Sequence, residues 1–217
     1  MKKRKEITMK DLFKGCWTIP NLLSLIRILL IPVFAVLFYQ DQKIAAVAVL
    51  ALSGLSDMLD GKIARKYNQI SALGKVLDPV ADKLTQITIA VMLLIDFRKA
   101  DDALINAFGW VFLVFLIKEA VMIIGGLVML LLGIRPGAAE IFGKLATAVF
   151  YFGMTIIIAV GPEVGAFKDY FTLPPILTGI IVVVSAIMTI VAFASYMPET
   201  FRQFKEYFDN KKANKTN

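Results

Sequence analysis

Histidine is absent from the 217 residues, and cysteine occurs once, at Cys16. Those two shortages remove whole classes of chemistry. No Ser-His-Asp or Cys-His relay can be assembled, no histidine- or cysteine-based zinc site can form, and group transfer through a nucleophilic histidine is excluded. A single cysteine makes no internal disulfide and says nothing of an oxidising compartment. Charge is scarce too: 19% of residues are Asp, Glu, Lys or Arg, 58% are hydrophobic, and the mean hydropathy is +0.72. Soluble domains hold about 25% charged and about 45–50% apolar residues, so this chain is too apolar for water. The same numbers exclude disorder, collagen and disulfide-stapled scaffolds. Any chemistry must run on carboxylates, lysine, arginine, hydroxyls and bound ions.

What the chain does have is long apolar runs. A membrane-crossing helix needs roughly 20 mostly apolar residues to cover about 30 Å of hydrocarbon. Six such spans are expected: Pro20 to Tyr39, Ile44 to Ala64, Val76 to Phe97, Ala103 to Ile134, Ala138 to Val160 and Leu173 to Met197. The fourth is long, and Gly125–Gly126 would let it bend or pack closely against a neighbour. Pro32 is expected to kink the first span without ending it, and Pro79 to fall at or just inside the first turn of a helix. The predicted fold is therefore an all-α integral membrane protein with six transmembrane helices. Residues 1–18 form a basic juxtamembrane segment, 19–199 the transmembrane catalytic domain, and 200–217 a basic tail with an amphipathic start and a frayed polar end.

Lys2, Lys3, Arg4, Lys5, Lys10 and Lys14 make the first segment basic, and no small-residue cleavage site follows the apolar run. Ile7 to Trp17 reads either as a short helix lying on an anionic membrane surface or as a solvated basic leader. Loops on one side of the six spans carry only Lys43, Arg98, Lys99 and Lys168, so both termini are expected in the cytoplasm of a multi-pass cell-membrane protein. The net charge of +7 then belongs mostly to the cytoplasmic face, suited to anionic lipid head groups or phosphorylated substrates. Nucleic acid is a poor partner, because no basic face with interleaved aromatics stands outside the membrane. Phe108, Trp110, Phe112, Phe115, Phe150, Tyr151 and Phe152 read as packing or lipid-facing residues, and Trp17, Tyr39 and Tyr196 as interfacial anchors.

Four acidic residues fall inside the apolar runs: Asp57, Asp60, Asp78 and Asp82. Each carboxylate at the centre of a membrane helix costs about 2.5–3.5 kcal/mol by the mildest scale, and together they repel. Asp57 and Asp60 are three positions apart and Asp78 and Asp82 four, so each pair shares a helix face. Between them, Lys62 to Lys75 holds Asn68, Gln69, Ser71 and Gly74 and reads as a turn, which makes the segment a hairpin with its carboxylates together at the cytoplasmic end. Oxygen-only ligands favour hard cations, and two divalent ions, Mg²⁺ or Mn²⁺, would neutralise the four carboxylates. The plainer reading pairs the aspartates with Lys62, Arg65, Lys75 and Lys83 as helix-end salt bridges, although this requires no glycine at positions 61 and 74.

Asp57, Asp60, Gly61, Ala64, Arg65, Gly74, Asp78 and Asp82 match, at every spacing over 26 residues, the signature D-x2-D-G-x2-A-R-x8-G-x3-D-x3-D. The segment resembles the CDP-alcohol phosphatidyltransferase family in this. Asn21, Ser24 and Arg27 extend the likeness, resembling the family's N-x2-[ST]-x2-R in the first helix. The resemblance implies transfer of a phosphatidyl-type group from a CDP-linked lipid, CDP-diacylglycerol, to an alcohol with release of CMP, by a homodimer embedded among membrane lipids. It implies Asp57, Asp60, Asp78 and Asp82 as metal ligands, with Asp82 also the general base. Asn21, Ser24, Gly61, Arg65, Ser71 and Gly74 take positions implied to contact the donor, while Arg27, Lys118, Arg135 and Lys144 are the candidates for phosphate or acceptor binding.

Lys118 inside the fourth span, with Arg135 and Lys144 at cytoplasmic ends, favours a phosphorylated acceptor, glycerol 3-phosphate. Lys118 is expected to pair poorly with Glu119, since adjacent helix residues diverge. Members using that acceptor usually show Arg-Glu where this chain has Lys118-Glu119, and G-K-x-K-T where it has Gly143-Lys144-Leu-Ala146-Thr147. A cardiolipin-synthase-like transfer to phosphatidylglycerol therefore stays open. So do a cation transporter, which would show repeated halves with interrupted helices, and a non-catalytic scaffold, which would bind no specific divalent ion.

Overall fold

The computed structural model describes residues 18–67, 71, 73–132, 134 and 141–216, with the backbone alone at Met58, Asp60, Gly61, Ala64, Arg65, Lys75, Val76 and 210–216. The expected surface helix Ile7 to Trp17 lies outside the described residues, as do Arg135 and the turn residues Asn68 and Gln69. Six helices occupy the described chain: α1 (Ile19–Tyr39), α2 (Lys43–Lys66), α3 (Gly74–Lys99), α4 (Ala103–Leu131), α5 (Ile141–Val160) and α6 (Pro175–Thr216). No strand occurs among the described residues.

Local chemistry sets several of the helix ends. Thr18 precedes α1, and its hydroxyl accepts from the Asn21 N–H at 3.3 Å, while Pro20 lies in the first turn, where a missing N–H does no harm. Asp102 caps α4, accepting from the N–H groups of Leu104 (2.8 Å) and Ile105 (3.0 Å). Asp41 takes a left-handed conformation (φ 60°) and lets the chain reverse between α1 and α2. Pro32 stays within α1, as expected.

Several boundaries depart from the sequence-based expectation. The fourth span ends at Leu131, capped through the Leu132 N–H, and Ile134 is outside the helix with its N–H on the Met129 carbonyl. Described helix in the fifth begins at Ile141. The sixth helix does not stop at Met197, where its apolar span ends: α6 passes through Pro198 and runs for 42 residues, about 63 Å at 1.5 Å per residue, roughly twice a bilayer core. Beyond the apolar part, Glu199 accepts from Arg202 (2.9 Å) and Gln203 (2.9 Å), pairs that hold helical turns together in water. Gly125 and Gly126 face open space among the described residues, so of the two roles considered for them, bending or close packing, the second is not seen there.

Four helices are long and apolar enough to cross a membrane, α1, α4, α5 and residues Pro175–Asp209 of α6. The other two are diluted by their own charges, Asp57, Asp60, Lys62, Arg65 and Lys66 on α2 and Lys75, Asp78, Asp82, Lys83, Asp96, Arg98 and Lys99 on α3. The surface is inverted relative to a soluble protein: Leu29, Ile124, Leu130 and Phe152 are 60–72% exposed. Water tolerates contiguous apolar faces of this kind poorly; lipid does not penalise them. The chain is a multi-pass membrane protein.

The chain divides between Met92 and Leu93 into two compact units. In the first, α1 packs along α2 with Phe34, Phe38, Ala46 and Leu50 buried. In the second, α6 packs on α4 and α5. Phe115 and Phe150 stack there with centroids 4.3 Å apart, and Phe97 meets Phe112 edge-on at 5.5 Å. Those rings pack as expected, and Trp110 and Phe152 point outward. Phe150→Ala is expected to cost about 3–5 kcal/mol, read as a large drop in thermal midpoint in detergent. Phe152→Ala, two residues on and 72% exposed, should stay close to wild type.

Candidate active site

The site grows from a polar stripe on an otherwise apolar helix. Asn21, Ser24 and Arg27 recur every third residue on α1, and all three are buried, at 6%, 0% and 2% exposure. Successive threes on a helix drift by only 60°, so the stripe stays on one side. Buried polar groups need partners, and each of these finds its partner on the segment from α2 to α3.

Arg27 makes the central contact. Its Nη1 lies 2.6 Å from Asp57 Oδ1 on α2 and 2.9 Å from Asp82 Oδ1 on α3. One guanidinium nitrogen therefore bridges carboxylates of two helices. Asp57 and Asp82 are 49% and 40% exposed at their side chains, against 2% for Arg27. The cation is sealed in while the acids face outward.

Ser24 Oγ donates to Asp78 Oδ1 and is also within 3.0 Å of the Pro20 carbonyl. Asn21 Oδ1 accepts from Ser71 Oγ at 2.8 Å, and Ser71 Oγ in turn accepts from the Gly74 N–H at 2.8 Å. Ser71 thus satisfies a donor at the start of α3 while tying that start to α1. Gly74 is buried against this group: a Cβ there would sit 2.5 Å from Asn21 Oδ1 and 3.1 Å from Ser71 Oγ. Close approach explains the glycine.

Asp57, Asp78 and Asp82 therefore all meet the α1 stripe, Asp57 and Asp82 through Arg27 and Asp78 through Ser24. The ion-pair partner of Asp57 and Asp82 is Arg27, not a lysine of their own hairpin. Asp60, Gly61 and Arg65 lie within α2, but their side chains are outside the described residues. Among the described residues, no three acidic groups close a metal cage by themselves.

Beside the stripe, a small apolar cavity of about 10 Å³, room for about one water, lies in the same unit, lined by Leu30, Ile31, Phe34, Val49, Leu50 and Ser53 among others. Ser53 and Leu30 stand one turn along their helices from Asp57 and Arg27, so the apolar cavity borders the polar group.

Of the expected acceptor residues, Lys118 lies in the second unit. Against expectation, its Nζ forms an ion pair with the adjacent Glu119 Oε1, and it also lies 5.2 Å from the Phe115 ring centroid. Glu119 is 1% exposed, so its charge needs a cation, and the long flexible lysine stem folds round the helix to supply one. Lys144 is exposed on α5, and Arg135 lies outside the described residues. Sequence reasoning missed the task of the α1 stripe as a clamp; three buried polar residues at threefold spacing on an apolar helix were the available signal.

The profile of a family described as CDP-alcohol phosphatidyltransferase matches residues 17–192. A CMP-forming cardiolipin synthase of Streptomyces coelicolor is 38% identical over 136 residues, 60% of this chain and 60% of its own. The human CMP-forming cardiolipin synthase is 53% identical over 75 residues, 34% of this chain and 25% of its own. The chain thus matches less than two thirds of either relative. CDP-diacylglycerol–glycerol-3-phosphate 3-phosphatidyltransferase of Aquifex aeolicus is 29% identical over 190 residues, 87% of this chain and 99% of its own.

Gly74→Ala is expected to displace Asn21 and loosen the start of α3, at a cost of about 1–3 kcal/mol. Its thermal midpoint in detergent should fall, whereas Gly125→Ala, facing open space, should leave the midpoint unchanged or slightly raised.

Proposed function

The chain belongs to the CDP-alcohol phosphatidyltransferase family, and on that footing we propose that it transfers the phosphatidyl group of CDP-diacylglycerol to an alcohol and releases CMP. The observation that carries the reading is the convergence of Asp57, Asp78 and Asp82 on a buried polar stripe, inside the segment that bears the family signature.

In this reaction the acceptor oxygen bonds to the phosphorus carrying the diacylglycerol, and the bond from that phosphorus to the CMP oxygen breaks. The hydroxyl proton must leave as the oxygen attacks. Asp82, whose carboxylate is half-exposed where the head group would arrive, accepts it. Asp57 and Asp82 stand half-exposed, which leaves room for an incoming head group. Asn21, Ser24, Gly61, Arg65, Ser71 and Gly74 are the residues that contact the nucleotide end of the donor. The exposed apolar side chains of α1, Leu25 and Leu29 among them, leave the acyl chains of the donor to the surrounding lipid.

The donor set fits divalent cations: all ligands are carboxylate oxygens, and two of them already converge on one positive group. Asp57, Asp60, Asp78 and Asp82 would hold two such ions, Mg²⁺ or Mn²⁺, which when bound neutralise the diphosphate leaving group. The enzyme is read as a homodimer of six-span chains, with both termini and the site on the cytoplasmic side, where lysine and arginine concentrate.

The first acceptor is glycerol 3-phosphate. Near-complete coverage of the Aquifex aeolicus relative supports this, with Arg27, Lys118, Arg135 and Lys144 as the cations available to acceptor phosphate. A second reading, transfer to phosphatidylglycerol, is favoured by the higher local identity to cardiolipin synthases and by the engagement of Lys118 with Glu119.

Asp82→Asn is expected to retain CDP-diacylglycerol binding and to lower CMP release by about 10²–10⁴-fold; normal turnover would remove Asp82 as the base. Purified protein given CDP-diacylglycerol and each alcohol in turn should release CMP fastest with glycerol 3-phosphate. Turnover with phosphatidylglycerol alone would reverse the choice of acceptor.

A further inference from the structure

We infer that Arg27 is a resident counter-cation that bridges Asp57 and Asp82 at the point a divalent ion on the same oxygens would take, so that ion and guanidinium exclude each other there. The inference rests on the reading above that these aspartates are cation ligands.

The geometry is that of a bridging ion. A single nitrogen, Nη1, contacts one oxygen of each carboxylate, at 2.6 and 2.9 Å, and the two acids come from different helices. A divalent ion bound to the same oxygens would lie about 2.0–2.2 Å from each for Mg²⁺. It would then share the space of Nη1, and like charges repel strongly in a site this poorly screened. Cation and guanidinium are alternatives at one point.

A reason to keep such a competitor follows from charge. Without any cation, Asp57, Asp78 and Asp82 would face each other with no positive charge between them, and the hairpin would splay. Arg27 supplies one positive charge until ions arrive. Once displaced, its five N–H donors become available to phosphate oxygens, beside carboxylates that are by then neutralised. The anchor for the donor's diphosphate is thus released by the ions themselves, which couples cation binding to donor binding, and reciprocally. Arg27 is a positioning residue in one state and a phosphate ligand in the other.

The sign of one measurement separates this from a purely structural role. If Arg27 only braced the aspartates, removing it would let them part and weaken cation binding. If it competes, removing it tightens cation binding. Mn²⁺ titration of purified protein in detergent without donor, followed by electron paramagnetic resonance, should show Arg27→Gln binding roughly tenfold more tightly than wild type. Arg27→Lys, which keeps the charge, should remain within about threefold of wild type. Equal or weaker binding by Arg27→Gln overturns the inference and leaves the enzyme reading standing. No Mn²⁺ binding by wild type overturns both. Should Arg27→Gln fail to fold, ¹⁵N-arginine spectra of the wild type decide. The side-chain signal of Arg27, identified by its absence in Arg27→Lys, should shift as Mg²⁺ saturates the site, and a signal unmoved at saturation overturns the inference.

Discussion

A guanidinium that is 2% exposed, in a bundle whose outer face is apolar, must find negative charge or the arrangement fails. Arg27 finds it on α2 and α3 at once, and the rest of the first unit follows from that choice. Breaking a buried pair by removing one partner costs about 3–5 kcal/mol, so α1 cannot slide or rotate relative to Asp57 and Asp82 without a penalty comparable to a large part of a domain's stability. With Arg27 fixed, helical periodicity sets Ser24 one step back, where it meets Asp78, and Asn21 another step back, where it meets Ser71. Three partners in register are a stronger constraint than three separate bonds, because no single rotation of α1 satisfies only some of them.

The same constraint explains why α2 and α3 fall short of the hydropathy that marks the other four helices. They carry the carboxylates proposed for the chemistry, and a helix cannot carry several charges and still partition alone into hydrocarbon. The cost is offset locally: the α1 stripe meets Asp57, Asp78 and Asp82 directly, and Ser71 satisfies the opening of α3. An apolar helix thus lends three buried polar side chains so that two polar helices can lie beside it. In this respect α1 is part of the site although most of its residues are ordinary membrane-helix residues.

How far the sequence disclosed this depends on the range of each interaction. Apolar runs and nearby caps are local, so all six helices were foreseeable and Thr18 and Asp102 mark two of their starts. The aspartate spacing is local as well, and it placed each pair on one face. Arg27 and its two acids are separated by 30 and 55 residues, and no periodicity reports which carboxylates a distant guanidinium will choose. One local inference failed for a physical reason. Adjacent helix positions diverge, yet a lysine stem is long enough to bring Lys118 back to Glu119 once burial makes that carboxylate demand it. The sixth helix also outruns its apolar span: Pro198 removes one hydrogen bond from α6, but the pairs that Glu199 makes with Arg202 and Gln203 immediately follow it, and the helix runs on.

The exposure pattern gives the site its direction. The positive member of the central cluster is sealed and its two negative members are open, the reverse of a surface salt bridge in which both partners share solvent. Ligands arriving at the open side meet carboxylate, so the first species favoured there is a cation rather than a phosphate. A diphosphate donor approaching bare aspartates would be repelled; one approaching after the acids are neutralised would not. On the proposed reading, order of binding follows from which charge is buried. The shared polar stripe then serves two ends, holding Asp57, Asp78 and Asp82 in register and leaving their open side to meet a cation before a phosphate.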